Sequence, residues 1–196
     1  MRCFFWVCAL LPLGAQPLKI GNDLGNQEGF LDLLTIAYTS QKIVWIEPIP
    51  KDLCALDGLL VSKSTLHRLN LRGKLVFKEL WLVLGKEEWK QRLHASNPHA
   101  LAKALNNPTL APHLQPMRTW RAYAPTDLLL LPARLYLQER AMHPFPPVLY
   151  RIYIGYFWAQ PCKHTHANAF YKWLRSPAMK ELLQGFRVDY QHVFAP

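Results

Sequence analysis

The closing stretch of the chain, residues 163–196, reads KHTHANAFYKWLRSPAMKELLQGFRVDYQHVFAP. Its apolar residues recur every three or four positions, which predicts two short helices that each bury one face. Ser176 is suited to cap the second helix, and Pro177 to occupy its first position, where a proline costs no hydrogen bond. The apolar face of the first helix consists of Ala167, Phe170, Tyr171 and Leu174, and that of the second consists of Met179, Leu182, Leu183 and Phe186.

Upstream of this stretch, short apolar runs alternate with helical patterns. The runs at 18–21, 42–46, 57–61 and 75–84 are predicted to be strands, and apolar spacing from Phe30 onward predicts a helix. A long aromatic and β-branched run at 150–159 predicts a further strand. This alternation indicates an α/β fold with a mixed, mostly parallel sheet.

The middle of the chain is rich in proline. A helix is expected over 99–105, after which Pro108, Pro112 and Pro116 indicate an irregular segment. Residues 127–140 are a helix candidate that Pro132 either interrupts or causes to start late.

The composition of the 196 residues suits one domain or two small lobes of one. Hydrophobic residues make up 51%, enough for a sizeable core, which argues against a disordered chain. The formal charge of +10 would suit an anionic partner, but lysine and arginine are scattered, which is typical of a solvated surface. The chain has no nucleophile elbow, phosphate-binding loop, HExxH or GxGxxG pattern, so we expect neither an enzyme nor a cofactor protein.

Residues 1–15 have the pattern of a secretory signal peptide, with Arg2 followed by a short apolar run and small residues at its end. The alternative is a buried apolar segment of a cytosolic protein. Export would place Cys54 and Cys162 in an oxidising compartment, where they would either pair or remain as two buried thiols.

Four segments resemble the tungstate-binding component of an ABC transporter, within the type II periplasmic solute-binding proteins. They are residues 18–34, 56–61, 121–127 and 163–196, and the last is the most specific. The resemblance implies a two-lobed type II periplasmic-binding-protein-like fold, with lobe one at 16–84 and 160–196 and a shortened lobe two at 85–159. It further implies a periplasmic protein that binds a small anionic solute such as tungstate or molybdate and delivers it to a transporter permease, with no nucleic acid as partner.

The same resemblance suggests which loops would hold the solute. The candidate ligand-binding residues are Asn22, Asp23, Gly25, Asn26, Ser62, Ser64, Arg121 and Thr126. Each has an ordinary structural alternative: an Asx-rich turn before the first helix, a helix cap by either serine, and a surface charge for the arginine.

At several positions the chain departs from the family pattern. Leu24 and Leu128 stand where the family has hydrogen-bond donors, and an ionised Asp23 would repel an anion. These departures favour a second reading, a diverged member that binds no oxyanion and acts as an interaction protein in the cell envelope. A third and weaker option is a metal receptor that uses His164 and His166.

Overall fold

The computed structural model describes residues 16–25, 29–93, 101, 112–118, 122–124, 127–165 and 167–196. Along the chain, the elements are β1 Leu18–Asn22, α1 Phe30–Ala37, β2 Ile43–Ile46, a 3-10 turn Leu53–Ala55, β3 Gly58–Ser62, α2 Lys63–Arg68, β4 Lys74–Leu84, α3 Glu87–Leu93, β5 Leu114–Pro116, β6 Leu128–Pro132, α4 Ala133–Glu139, β7 Val148–Ala159, α5 Ala167–Leu174, α6 Pro177–Gly185, β8 Arg187–Val188, β9 Gln191–His192 and β10 Phe194–Ala195.

Within these residues, one mixed sheet of eight strands runs in the order β2-β1-β3-β7-β4-β6-β5, with β10 paired to β4. The parallel pairing that we expect occurs towards its two ends, between β1 and β2, between β1 and β3, and between β5 and β6. The centre is antiparallel, because β7 returns between β3 and β4. The sheet therefore has more antiparallel pairing than βα alternation alone suggests. Strands β8 and β9 form a separate hairpin.

Two long antiparallel strands, β4 of 11 residues and β7 of 12 residues, run through the centre of the sheet. Strand β3 pairs with the final residues of β7, from Tyr156 to Ala159. Strand β6 pairs with the final residues of β4, from Trp81 to Leu84. Because the two strands are antiparallel, the β2-β1-β3 group and the β6-β5 group attach at opposite ends of the long pair. The division into lobes at 84/85 and 159/160 remains a prediction.

Aromatic side chains fill the main hydrophobic core. The Phe30 ring of α1 lies 3.9 Å from the Phe194 ring and 5.6 Å from the Phe77 ring, measured between ring centroids. The Phe170 ring of α5 lies 5.5 Å from the Trp158 ring of β7. Helix α5 thus packs against β7, whereas Phe186 at the end of α6 packs against Phe30 and Phe194, so both closing helices contribute to the core.

Most predicted elements in the described ranges are confirmed within a residue or two, namely β1, β2, β3, β4, β7, α1, α5 and α6. Ser176 caps α6 by accepting a hydrogen bond from the Met179 N–H at 3.3 Å, and Pro177 occupies the first turn. Residue 101 apart, the helix expected over 99–105 lies outside the described residues, as do residues 1–15.

The helix expected over 127–140 is correct only in its second half. Residues Leu128–Pro132 form strand β6, which pairs with both β4 and β5, and the helix begins at Ala133. A run of four leucines has no periodicity that separates a buried strand from a helix, so pairing on both sides decides its structure. The alternative in which Pro132 delays the helix is the one observed.

Cys54 and Cys162 form a disulfide across 108 residues. The bond ties the 3-10 turn before β3 to the segment that follows β7. In the part of the chain that the structure describes, no helix has both the length and the apolar character needed to span a membrane.

Candidate solute site

The last residue of β1 and the loop that follows it supply three of the predicted site residues. Asn22 is 1% exposed, and its side-chain oxygen accepts a hydrogen bond from the Leu24 N–H at 3.1 Å, which closes an Asx turn. Gly25 has φ 70°, a left-handed conformation that favours glycine. These two features direct the Asp23 side chain away from its own loop and across to the end of β3.

The Asp23 carboxylate accepts hydrogen bonds from three donors at the junction of β3 and α2. The Ser62 N–H donates to Oδ1 at 3.0 Å, and the Ser62 hydroxyl donates to Oδ2 at 2.6 Å. The Thr65 hydroxyl donates to Oδ2 at 2.5 Å. Hydrogen bonds to an ionised acceptor are about twice as strong as neutral ones, so this carboxylate joins β1 to β3 firmly.

Ser64 forms a further hydrogen bond with Ser62. Its hydroxyl lies 3.0 Å from the Ser62 hydroxyl. The single Ser62 hydroxyl proton points to Asp23, so Ser64 is the donor in this pair. Ser62 is the N-cap residue of α2 but makes no side-chain capping bond. Its hydroxyl instead bonds within the cluster formed by Asp23, Ser62, Ser64 and Thr65.

A cation completes the cluster from the other end of the sheet. Arg118, two residues after β5, places its Nη2 atom 3.5 Å from Asp23 Oδ2. Its guanidinium lies 5.5 Å from the Trp81 ring, in a cation–π contact. Its Nη1 atom is buried and has no hydrogen-bond partner among the described residues.

A second, fully buried network lies beside this one. Arg134 of α4 donates from Nε to Glu79 at 2.5 Å and from Nη2 to the Leu24 carbonyl oxygen at 2.6 Å. The other Glu79 oxygen accepts from the Trp81 indole at 2.9 Å and from the Tyr156 hydroxyl at 3.0 Å. Burial raises the pKa of the Tyr156 phenol well above its usual range, and the negative charge of Glu79 raises it further. Through its hydrogen bond to the Leu24 carbonyl oxygen, Arg134 fixes the loop that carries Asp23.

The structure brings five of the eight predicted site residues together at this point of the fold. Asp23, Ser62 and Ser64 are in direct contact, and Asn22 and Gly25 shape the loop. Asn26, Arg121 and Thr126 lie outside the described residues. Ser62 donates straight to a carboxylate, without the intervening histidine of a nucleophilic triad.

Sequence reasoning missed the two arginines. Arg118 and Arg134 lie in segments that give no local signal, because their partners Asp23 and Glu79 are far away in the chain. Leu24 and Leu128, which stand where the family has hydrogen-bond donors, are buried in two separate hydrophobic clusters.

The metal option finds no cluster to support it. Over the described ranges, no group of three or more His, Cys, Asp or Glu side chains gathers at one point. His164 lies 3.7 Å from the Asp57 carboxylate, which also accepts the Lys19 N–H at 2.7 Å. His164 therefore joins the start of β3 to the segment before α5, whereas His166 lies outside the described residues.

Comparison with known proteins gives a likeness in structure only. No protein-family model and no curated protein sequence matches the chain. A protein of Ruminococcus gnavus ATCC 29149, provisionally described as a lipoprotein, is similar with a TM-score of 0.51 and 10% identity over 93% of this chain and 99% of that one.

Two further structures are similar at lower scores. A protein of Wolinella succinogenes DSM 1740, provisionally described as the binding component of an ABC transporter and complexed with lysine, has a TM-score of 0.48 and 12% identity over 89% of this chain and 97% of that one. ArgP from Mycobacterium tuberculosis has a TM-score of 0.45 and 11% identity over 83% of this chain, which spans 66% of that protein. At such identities the likeness concerns the fold alone, a mixed α/β architecture that the chain shares with the Ruminococcus gnavus protein.

Proposed function

We propose that this chain is an exported solute-binding protein that delivers a small solute to an ABC transporter permease. The observation that carries the proposal is the convergence of Asp23, Ser62, Thr65 and Arg118 on one point. These residues come from the loop after β1, from β3, from α2 and from the segment after β5, so the cluster joins the two groups of strands at either end of the long pair.

Capture would use the hydroxyl, amide and guanidinium donors of this cluster. A small anion, tungstate or molybdate in the family that the chain resembles, needs several such donors, because burying an unpaired charge is prohibitive. Arg118 would contribute from lobe two and Ser62 from lobe one, so closure of the lobes over the solute would complete the site. The predicted signal at residues 1–15 fits a periplasmic location.

A second candidate function has one observation in its favour. The Asp23 carboxylate already engages the donors that an oxyanion would use. A chain whose site is filled in this way would serve as an interaction protein of the cell envelope without binding an oxyanion.

A thermal melt of the oxidised protein with millimolar tungstate, molybdate, sulfate and phosphate tests the proposal. A ligand at 100 times its Kd adds about 2.7 kcal/mol to the free energy of unfolding and raises the midpoint by several degrees. Arg118→Gln should abolish the shift, whereas the exposed Arg187→Gln should keep it. No shift with any of these anions would favour the interaction protein.

A further inference from the structure

Asp23 is the acceptor that a set of hydrogen-bond donors surrounds. Without its carboxylate, these donors would face an anion. Both of its oxygens are used, Oδ1 by an amide and Oδ2 by two hydroxyls and a guanidinium. A carboxylate with two oxygens presents the same kind of acceptor as part of a tetrahedral oxyanion. Resting on the proposed function, we infer that Asp23 is a tethered competitor: its carboxylate occupies the solute's position, and an oxyanion binds only by displacing it.

The donors are also held in place by contacts that do not involve Asp23. Ser62 belongs to β3 and pairs in the sheet with Tyr156 of β7. Thr65 is buried in α2, and Arg118 packs against the Trp81 ring. A donor set fixed by its own elements stays preorganised when the carboxylate leaves, and preorganisation reduces the cost of binding.

The loop is also held independently of the Asp23 side chain. Asn22 on one side is buried and closes its own turn on the Leu24 N–H. Leu24 on the other side is 1% exposed, and its carbonyl oxygen accepts from buried Arg134 at 2.6 Å. Truncating Asp23 therefore leaves the backbone in place and opens space in front of the donors.

One hydrogen-bond donor of Arg118 is not used by the Asp23 carboxylate. The Nη1 atom of Arg118 is buried without a hydrogen-bond partner in the described part of the chain. Leaving a buried donor unpaired costs free energy, and an oxyanion with more oxygens than a carboxylate would supply an acceptor for it. The cluster is thus better matched to a larger anion than to its own aspartate.

The test compares Asp23→Ala with the unmodified full chain by calorimetric titration of sodium tungstate, molybdate and sulfate. Affinity for at least one anion should rise by about tenfold or more in the variant. Asp23→Asn, which keeps the volume and removes the charge, should gain less, because its amide still fills the position. Asp52→Ala is the matched control, since Asp52 is an exposed aspartate that also accepts a backbone N–H.

Each outcome decides a different point. Tighter binding by Asp23→Ala supports tethered competition, and if the unmodified chain does not bind at all, the native oxyanion function fails while the inference holds. Equal or weaker binding by Asp23→Ala overturns the inference and leaves the proposed function standing wherever the unmodified chain binds. Binding by neither protein overturns both. Should Asp23→Ala not fold, Asp23→Ser, whose side chain is shorter than that of aspartate and uncharged, is also expected to gain affinity, and the absence of a gain overturns the inference.

Discussion

The Arg134 Nε atom lies 2.5 Å from Glu79 Oε1, and the exposed fractions of the two side chains are 1% and 0%. This pair joins α4 to the central strand β4. The same guanidinium holds the Leu24 carbonyl oxygen, so the buried pair also supports the loop that presents Asp23. Stability and the candidate site are therefore linked through one side chain.

Arg134→Met should destabilise the protein by about 3–5 kcal/mol, because it leaves the Glu79 carboxylate buried without its cation. The control is Lys90→Met, which breaks the exposed pair of Lys90 and Glu87 at 3.2 Å and should cost about 1 kcal/mol or less. Urea denaturation measures both free energies of unfolding. Equal losses for the two variants would show that the buried pair adds no more than a surface pair.

Tyr156 should make the folded protein sensitive to alkali. Burial and the charge of Glu79 raise the pKa of its phenol well above the usual value of 10.0. The unfolded chain therefore loses this proton first, so the stabilisation is complete below pH 10 and falls as the pH rises towards the folded pKa, at up to about 1.4 kcal/mol per pH unit.

Urea midpoints measured from neutral to strongly alkaline pH test this dependence. Tyr156→Phe should be less stable near neutral pH, because Glu79 loses a donor, yet its midpoint should fall less steeply in alkali. Tyr190→Phe, at a residue that is 91% exposed, should follow the unmodified protein. An unchanged alkaline slope in Tyr156→Phe would rule out the assignment.

The secondary structure was largely predictable because apolar periodicity and capping chemistry are local. The Ser176-Pro177 start of α6 and the uniform runs of β4 and β7 give unambiguous patterns. Strand β6 gives no such pattern, because its four leucines have no periodicity. Its strand conformation depends on pairing with β4 and β5.

Only part of the site was predictable, because local sequence patterns do not encode tertiary contacts. The Asp23 loop and the Ser62–Ser64 segment follow predicted strands, and strand ends are where side chains of a sheet converge. Arg118 and Arg134 reach this region from elements whose positions depend on the antiparallel pairing of β4 with β7, which no local spacing encodes. The direction of the Asp23 carboxylate, towards its own donors and not towards a solute, likewise depends on tertiary contacts.

Gly58 leaves no room for a side chain. A Cβ atom there would lie 2.1 Å from Cη2 of Trp158 and 2.4 Å from its Cζ2, and that indole is 4% exposed. Gly58→Ala should therefore cost about 1–3 kcal/mol through overpacking. Gly185→Ala, in a helix position with no atom within 4 Å, should be neutral or slightly stabilising. Comparable midpoints for both variants would contradict the tight contact.

The disulfide between Cys54 and Cys162 should contribute substantially to stability. Closing a loop across 108 residues restricts the unfolded chain, and loss of such a bond typically costs about 2–5 kcal/mol. A reductant should lower the melting temperature of the unmodified protein to that of the double variant Cys54→Ser, Cys162→Ser. The double variant itself should not respond, and insensitivity of the unmodified protein would argue that the two thiols are free.

Met179 and Met142 provide a matched pair for the closing helices. Met179 of α6 is fully buried at 0% exposure, whereas Met142 is 69% exposed. Met179→Ala should cost about 2–5 kcal/mol by lost burial and a residual cavity. Met142→Ala should stay within about 0.5 kcal/mol of the unmodified protein.

Phe186→Ala extends this test to the end of α6. Its ring lies 5.2 Å from the Phe30 ring and 5.5 Å from the Phe194 ring but is only partly buried, so its loss should fall towards the lower part of the range for Met179→Ala. Denaturation midpoints rank the three variants. If Met179→Ala and Met142→Ala gave the same midpoint, α6 could not be packed through the apolar face that the closing sequence defines.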